Sequence, residues 1–179
     1  DIDKHKAWID VSNEIGCESV RVDLRGGNSF NQWKQNSIIS LNALCEYSPG
    51  LNITVENHGG FSSNGKYLAE VMKSITLDNC GTLPDFGNFC IKGSPNPSNL
   101  NVCKKWYDRY EGINDLMPYA KALSAKSYDF LDNGDEKYID YIYIDKRKYH
   151  PTPPPPPAPP PPAPPGGCGI PQGDAFQRQ

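Results

Sequence analysis

Leu51-Asn52-Ile53-Thr54-Val55-Glu56 is an apolar run closed by an acid, and the turn residues Asn57-His58-Gly59-Gly60 follow it. Cys80-Gly81-Thr82-Leu83-Pro84-Asp85 repeats the pattern and leads into Phe86-Gly87-Asn88. The two acids, Glu56 and Asp85, lie 29 positions apart, the length of one β-strand plus one α-helix. Short apolar runs bounded by glycine, proline and asparagine read as buried strands. Successive parallel strands that each end in an acid at the same end are where a (β/α) barrel keeps its chemistry. Two carboxylates side by side at such a mouth make a natural site for a hard divalent cation.

The surrounding sequence supports the same alternation. A helix is expected over residues 3–14, with Trp8, Ile9, Val11, Ser12 and Ile15 on or near one face and Gly16 as its stop. Residues 19–24 read as a strand ended by Arg25-Gly26-Gly27. A second helix should span residues 29–47, with Phe30, Trp33, Leu41, Leu44 and Cys45 inward, closed by Pro49-Gly50. Ser62, Ser63 or Asn64 is positioned to cap a third, whose apolar stripe is Tyr67, Leu68, Val71, Met72 and Ile75. After the strand at 80–84, the breakers of 93–99 predict a long loop. A helix near 107–119 then leads to a strand at 122–126, and 136–145 reads as helical with strand as the alternative. The order βαβαβαβ favours a parallel sheet. A complete barrel holds eight βα units in about 250 residues, and about four are legible here. The expected fold is therefore α/β, a partial (β/α) TIM barrel over residues 1–149.

From Pro151 the composition changes to a run of prolines broken by Ala158 and Ala163, then Gly166-Gly167-Cys168-Gly169. Proline lacks an amide donor, so this stretch cannot pack as helix or central strand. Residues 150–179 are expected to be a disordered, proline-rich tail with polyproline II character. Its P-x-x-P repeats fit an SH3- or WW-type partner; a simple spacer is the competing reading.

Composition bounds the partners. The chain has 179 residues, enough for a sizeable core, and a formal net charge of -3. No basic surplus exists to neutralise phosphates, so nucleic acid and anionic membranes are not expected partners. No apolar stretch approaches the roughly 20 residues that cross a bilayer, and the expected compartment is the cytoplasm. The six cysteines contain no C-x-x-C pair, and free, mostly buried thiols are the expected state.

Several side chains near the two acids can carry chemistry. His58, two residues past Glu56, can act as a ligand or acid/base group. Asn88 can reach a metal or a substrate hydroxyl. Lys126 can stabilise a developing oxyanion, or else pair with one of the acids. Arg25 can hold a phosphate or carboxylate. Arg21 and Asp23 share a face of their strand and are expected to pair with residues nearby.

Four stretches together resemble the sugar phosphate isomerase/epimerase family, the xylose isomerase-like TIM barrels. They are ITVENHGGFSS (53–63), GTLPDFGNF (81–89), LMPYAKALSAKSYDF (116–130) and WIDVSNEIGCESVRVD (8–23). The resemblance covers about residues 5–146. It implies a divalent metal (manganese, magnesium or cobalt) held by Glu56 and Asp85; beside it, the candidates for the chemistry are Glu56, Lys126 and His58, and those for binding substrate are Arg25 and Asn88. The implied reaction isomerises or epimerises a sugar or sugar phosphate by proton transfer through an enediolate. Ser124 and Asn88 stand where many members have histidine. The late-strand glutamate that serves members as ligand and base has no counterpart before the prolines begin, so a truncated member with impaired activity is the expectation. Were the chain active all the same, Glu46, Asp129 or His58 would take the base role. Homo-oligomerisation would cover open sheet edges. The rival from another class is a non-catalytic scaffold that recruits partners through the tail.

Overall fold

The structure, a computed structural model, describes residues 2–93, 100–142 and 144. Its spine is a parallel sheet of β1 (Ser19–Val22), β2 (Asn52–Glu56) and β3 (Cys80–Leu83), in that spatial order. In register, Ile53 faces Val20 and Cys80, Val55 faces Val22 and Thr82, and Glu56 faces Leu83. The central strand is buried on both faces: Ile53, Thr54 and Val55 have no exposure, which is why it reads as a near-continuous apolar run. Thr54 keeps its hydroxyl satisfied by donating to the Val20 carbonyl at 3.1 Å.

Helices α1 (Ile2–Glu14), α2 (Phe30–Tyr47) and α3 (Gly65–Met72) alternate with these strands. Ser29 caps α2 by accepting from the Gln32 amide, and Asn64, the last of the three candidate caps, accepts from Tyr67 to start α3. Both helices bring an aromatic group to one seam, where Phe30 stacks on Tyr67 with ring centroids 4.1 Å apart and Trp33 meets Phe61. Helix α4 (Arg109–Leu116), capped by Asp108, approaches α3 through two glycines. A Cβ on Gly65 would stand 2.7 Å from the Gly112 Cα, and one on Gly112 would collide with the Phe89 ring. Only glycine allows that spacing.

The expected fourth strand is present as a position rather than a ladder. Isolated parallel bridges join Thr82 to Ala120 and Asp85 to Ser124, so residues 120–124 run alongside β3. The Lys121 and Ser124 amides donate to Thr82 and Pro84 carbonyls, both at 3.0 Å. Pro84 has no amide to return a bond, and the 3-10 turn Met117–Tyr119 delivers the chain with Pro118 in it. The ladder therefore breaks between the bridges. Among the described residues the architecture is a mixed α/β fold with a small parallel sheet.

Four expectations need correction. Trp8, Val11 and Ile15 are not core: they are 49%, 46% and 63% exposed, and α1 packs through Ile9 and Ser12 instead. The stretch after β3 is not all loop, because β4 (Cys90–Lys92) and β5 (Lys105–Trp106) pair antiparallel around it. Residues 94–99 of the predicted loop lie outside the described residues. Cys90 and Cys103 are not free thiols but form a disulfide that ties this hairpin. Finally, residues 136–140 are not helical. Glu136 bridges to Phe130, and its carboxylate accepts from the amides of Tyr128, Asp129, Tyr138 and Ile139. A side chain that satisfies four amides across a turn removes the need for helical bonds there. Helical backbone begins only at Tyr141. The proline-rich tail lies outside the described residues.

Candidate metal and proton-transfer site

The parallel register builds the site. Arg21 is opposite Thr54, and Glu56 is two residues beyond Thr54 on the same face, so Arg21 and Glu56 are diagonal neighbours and form an ion pair. Glu56 is opposite Leu83, and Asp85 is two residues beyond Leu83. Strand alternation thus delivers both acids to one side of the sheet at its C-terminal edge. Both are buried. Burial pushes the Glu56 carboxyl above its usual value; the Arg21 charge opposes that rise and the Asp85 charge adds to it.

Asp85 is held from three directions. Its Oδ1 accepts from the Gly87 and Asn88 amides, each at 2.8 Å, and Oδ2 accepts from the Ser124 hydroxyl at 2.8 Å. Asn57, fully buried, clamps the same turn: its Oδ1 accepts from the Asp85 amide at 2.7 Å, and its Nδ2 donates to the Asp85 carbonyl at 2.9 Å and the Asn88 carbonyl at 3.2 Å. Ser63 donates to that Asn88 carbonyl as well, at 2.7 Å.

Asn88 connects the groups. Its Nδ2 donates to Glu56 Oε1 at 3.0 Å, and its Oδ1 accepts from Lys126 Nζ at 2.7 Å. Lys126 therefore reaches Glu56 through Asn88, where direct pairing with an acid was the competing expectation. Tyr128 packs over the same turn and donates to the Gly87 carbonyl at 2.8 Å; burial first, and then the Asp85 charge, push its hydroxyl up to about 12.

His58 and Arg25 form a second group at the rim. His58 Nδ1 is 3.7 Å from Asp23 Oδ2 and 3.4 Å from Arg25 Nη2, and Arg25 is 3.4 Å from the same Asp23 oxygen. His58 and Arg25, with Trp33, Phe61 and Asn88, line a cavity of about 440 Å³. Glu56 and Asp85 do not line it; Asn88 is the residue common to the cavity and the acid pair. The Asp23 hydrogen bond raises His58 above its ordinary value although burial opposes it. Burial alone would raise Asp23, but the His58 bond and the Arg21 and Arg25 charges outweigh it and hold the carboxyl low.

A pH prediction follows from this pair. A histidine raised on folding contributes stability that is complete below its unfolded value of 6.5 and is lost as pH rises through the folded value. The lowered Asp23 contributes above 3.8 and loses its contribution as pH falls through its folded value. The pair thus supports the fold between those two limits. An NMR titration should place the His58 midpoint above 6.5, and Asp23→Asn should move it down. An unchanged midpoint in that variant would count against the pairing.

The six candidate residues fall into two groups. Glu56, Asp85, Asn88 and Lys126 come together in one hydrogen-bonded set, while His58 and Arg25 belong to the adjoining rim with Asp23. Nothing in the sequence reading places Asn57, Ser63 or the Ser124 hydroxyl in the site, and Ser63 reads there only as a candidate helix cap. An asparagine directly after a strand buried on both faces was the available signal, because such an amide must find protein partners. No family model matches the chain, and no curated protein matches it.

Proposed function

We propose that this chain is a metal-dependent sugar or sugar phosphate isomerase/epimerase-like protein on a partial TIM barrel, moving a proton through an enediolate. The observation that supports this reading is the convergence of Glu56 and Asp85 on one face at the C-terminal ends of adjacent parallel strands. The donor set suits a hard cation such as manganese, magnesium or cobalt. Two buried carboxylates whose charges oppose one another would be stabilised by a divalent charge held by both. Among the described residues no cluster of three or more His, Cys, Asp or Glu accompanies them. When bound, the cation would polarise a carbonyl and its neighbouring hydroxyl.

The chain's own residues divide the remaining roles. Lys126 carries positive charge to Asn88 and can stabilise oxygen charge that develops beside it. The raised Glu56 carboxyl lies nearer the range in which a carboxyl exchanges protons at neutral pH. His58, oriented by Asp23, is the second proton-handling group and faces the cavity with Arg25, which suits an anionic or hydroxyl-rich end of a substrate. The aromatic wall of Trp33 and Phe61 suits the apolar face of a sugar ring.

One observation favours a second reading, a non-catalytic scaffold. Both Asp85 oxygens already have partners, and Arg21 already neutralises Glu56. Such a network is complete without a ligand. The Cys90–Cys103 disulfide also favours an oxidising compartment over the expected cytoplasm. No helix among the described residues is long and apolar enough to cross a membrane.

The test is calorimetric titration of the full chain with manganese, followed by turnover on a panel of ketoses and ketose phosphates. Stoichiometric binding with manganese-dependent turnover is the expected result. Absence of binding would leave the scaffold reading in its place.

A further inference from the structure

At the opposite end of the sheet from Glu56 and Asp85, two free cysteines meet. Cys45 lies in the last turn of α2, buried in the core, and Cys80 opens β3, half-buried. Asn79, the residue before Cys80, anchors the two elements: its Nδ2 lies 3.0 Å from the Cys45 carbonyl, 3.0 Å from that of Ser48 and 3.1 Å from that of Leu51. That clamp fixes the C-terminal end of α2 against the start of β3. It makes Cys45 and Cys80 neighbours across the two elements, and the two thiols influence one another's titration. On the open side, Lys121 lies across Gly81. A Cβ placed on Gly81 would stand 2.5 Å from the Lys121 Cγ, and the Lys121 amide is bonded to Thr82.

We propose that Cys45 and Cys80 form a peroxide-oxidisable dithiol, with Cys80 as the attacking thiol and Cys45 as the resolving one, that closes into a disulfide joining α2 to β3. The roles follow from position. Cys80 has the solvent access that a hydroperoxide needs, and Lys121 supplies the nearby positive charge that favours a thiolate. Cys45 is sealed from the reagent but in reach of its partner. The titration behaviour agrees: the Cys45 hydrogen bond, with help from Lys121, draws Cys80 below the ordinary thiol value, while that same bond and burial push Cys45 up.

The chemistry balances. The Cys80 thiolate attacks the hydroperoxide, the O–O bond breaks, and the sulfur becomes a sulfenic acid while the departing oxyanion takes up the proton that Cys80 had released. The Cys45 sulfur then attacks the Cys80 sulfur, the S–O bond breaks, and hydroxide leaves with the Cys45 proton as water. Two thiols have lost two electrons, and one hydroperoxide has been reduced. Cys90–Cys103 is already closed and takes no part. This site is independent of the function proposed above, since it shares no residue with the acid pair.

The full native chain is treated with hydrogen peroxide, unfolded in an alkylating agent, digested and mapped by mass spectrometry. The expected result is a peptide pair linking Cys45 to Cys80 that is lost on reduction, with alkylation of both cysteines falling in parallel. In Cys45→Ala, Cys80 should stop at the sulfenic acid and be trapped by dimedone; in Cys80→Ala, Cys45 should stay fully alkylatable. Circular dichroism establishes that each variant is folded, and if either is not, the wild-type map decides by itself. Oxidation of Cys80 to sulfinic acid without a link to Cys45, a link from Cys45 to any other cysteine, or unchanged alkylation of both would each overturn the proposal.

Discussion

Glu56→Gln is expected to weaken manganese binding by about 100-fold or more, because a site with two carboxylates loses half its anionic donors and the remaining amide oxygen carries no charge. The same substitution should leave the fold nearly intact. Glutamine keeps an oxygen to accept from Asn88 Nδ2, and it removes both the burial cost of the carboxylate and its repulsion by Asp85. Against that, Arg21 loses its partner, but the Arg21 side chain is 41% exposed and water can replace the contact. The net change in stability should therefore fall within about 1 kcal/mol. Calorimetry with manganese and a urea titration read the two effects separately. Manganese affinity equal to wild type in a folded Glu56→Gln protein would remove the metal site from the reading. A large loss of stability would show instead that the Arg21–Glu56 pair is structural before it is chemical.

The largest expected loss of stability comes from Asn57→Ala. The side chain has no exposure and makes three bonds to the Asp85–Asn88 turn. The Asn88 carbonyl would keep Ser63, but the Asp85 amide and carbonyl would both lose the Asn57 partner. Each buried group left without a partner costs about 1–3 kcal/mol, so about 3 kcal/mol in total is a reasonable expectation, before any small cavity is counted. Because the clamp positions Asp85, manganese affinity should fall too, although Asn57 touches no ligand oxygen of the acid. Urea unfolding of Asn57→Ala decides it: a change under about 0.5 kcal/mol, the size typical of a surface substitution, would mean that water replaces the amide and the clamp is not needed.

The sequence by itself determined the strand–helix alternation through residue 83, because each element advertises itself locally. β2 is a run of apolar residues, α2 and α3 have 3.6-residue stripes with Ser29 and Asn64 as caps, Glu56 ends β2, and Asp85 follows β3 by two residues. The spacing of the two acids was also legible, since strand alternation is a property of the chain. What only the tertiary structure decided depends on contacts between distant segments. That Arg21 takes Glu56, and that Lys126 reaches Glu56 only through Asn88, are consequences of strand register and of side-chain reach, which no local pattern encodes. Trp8, Val11 and Ile15 carry the same periodicity whether or not a partner covers them, so their exposure could not be read. The Cys90–Cys103 link and the Cys45–Cys80 encounter depend on which elements the sheet brings side by side. Glu136 overrode the helical pattern after it because one carboxylate can satisfy several amides at once, a competition settled by geometry and not by propensity.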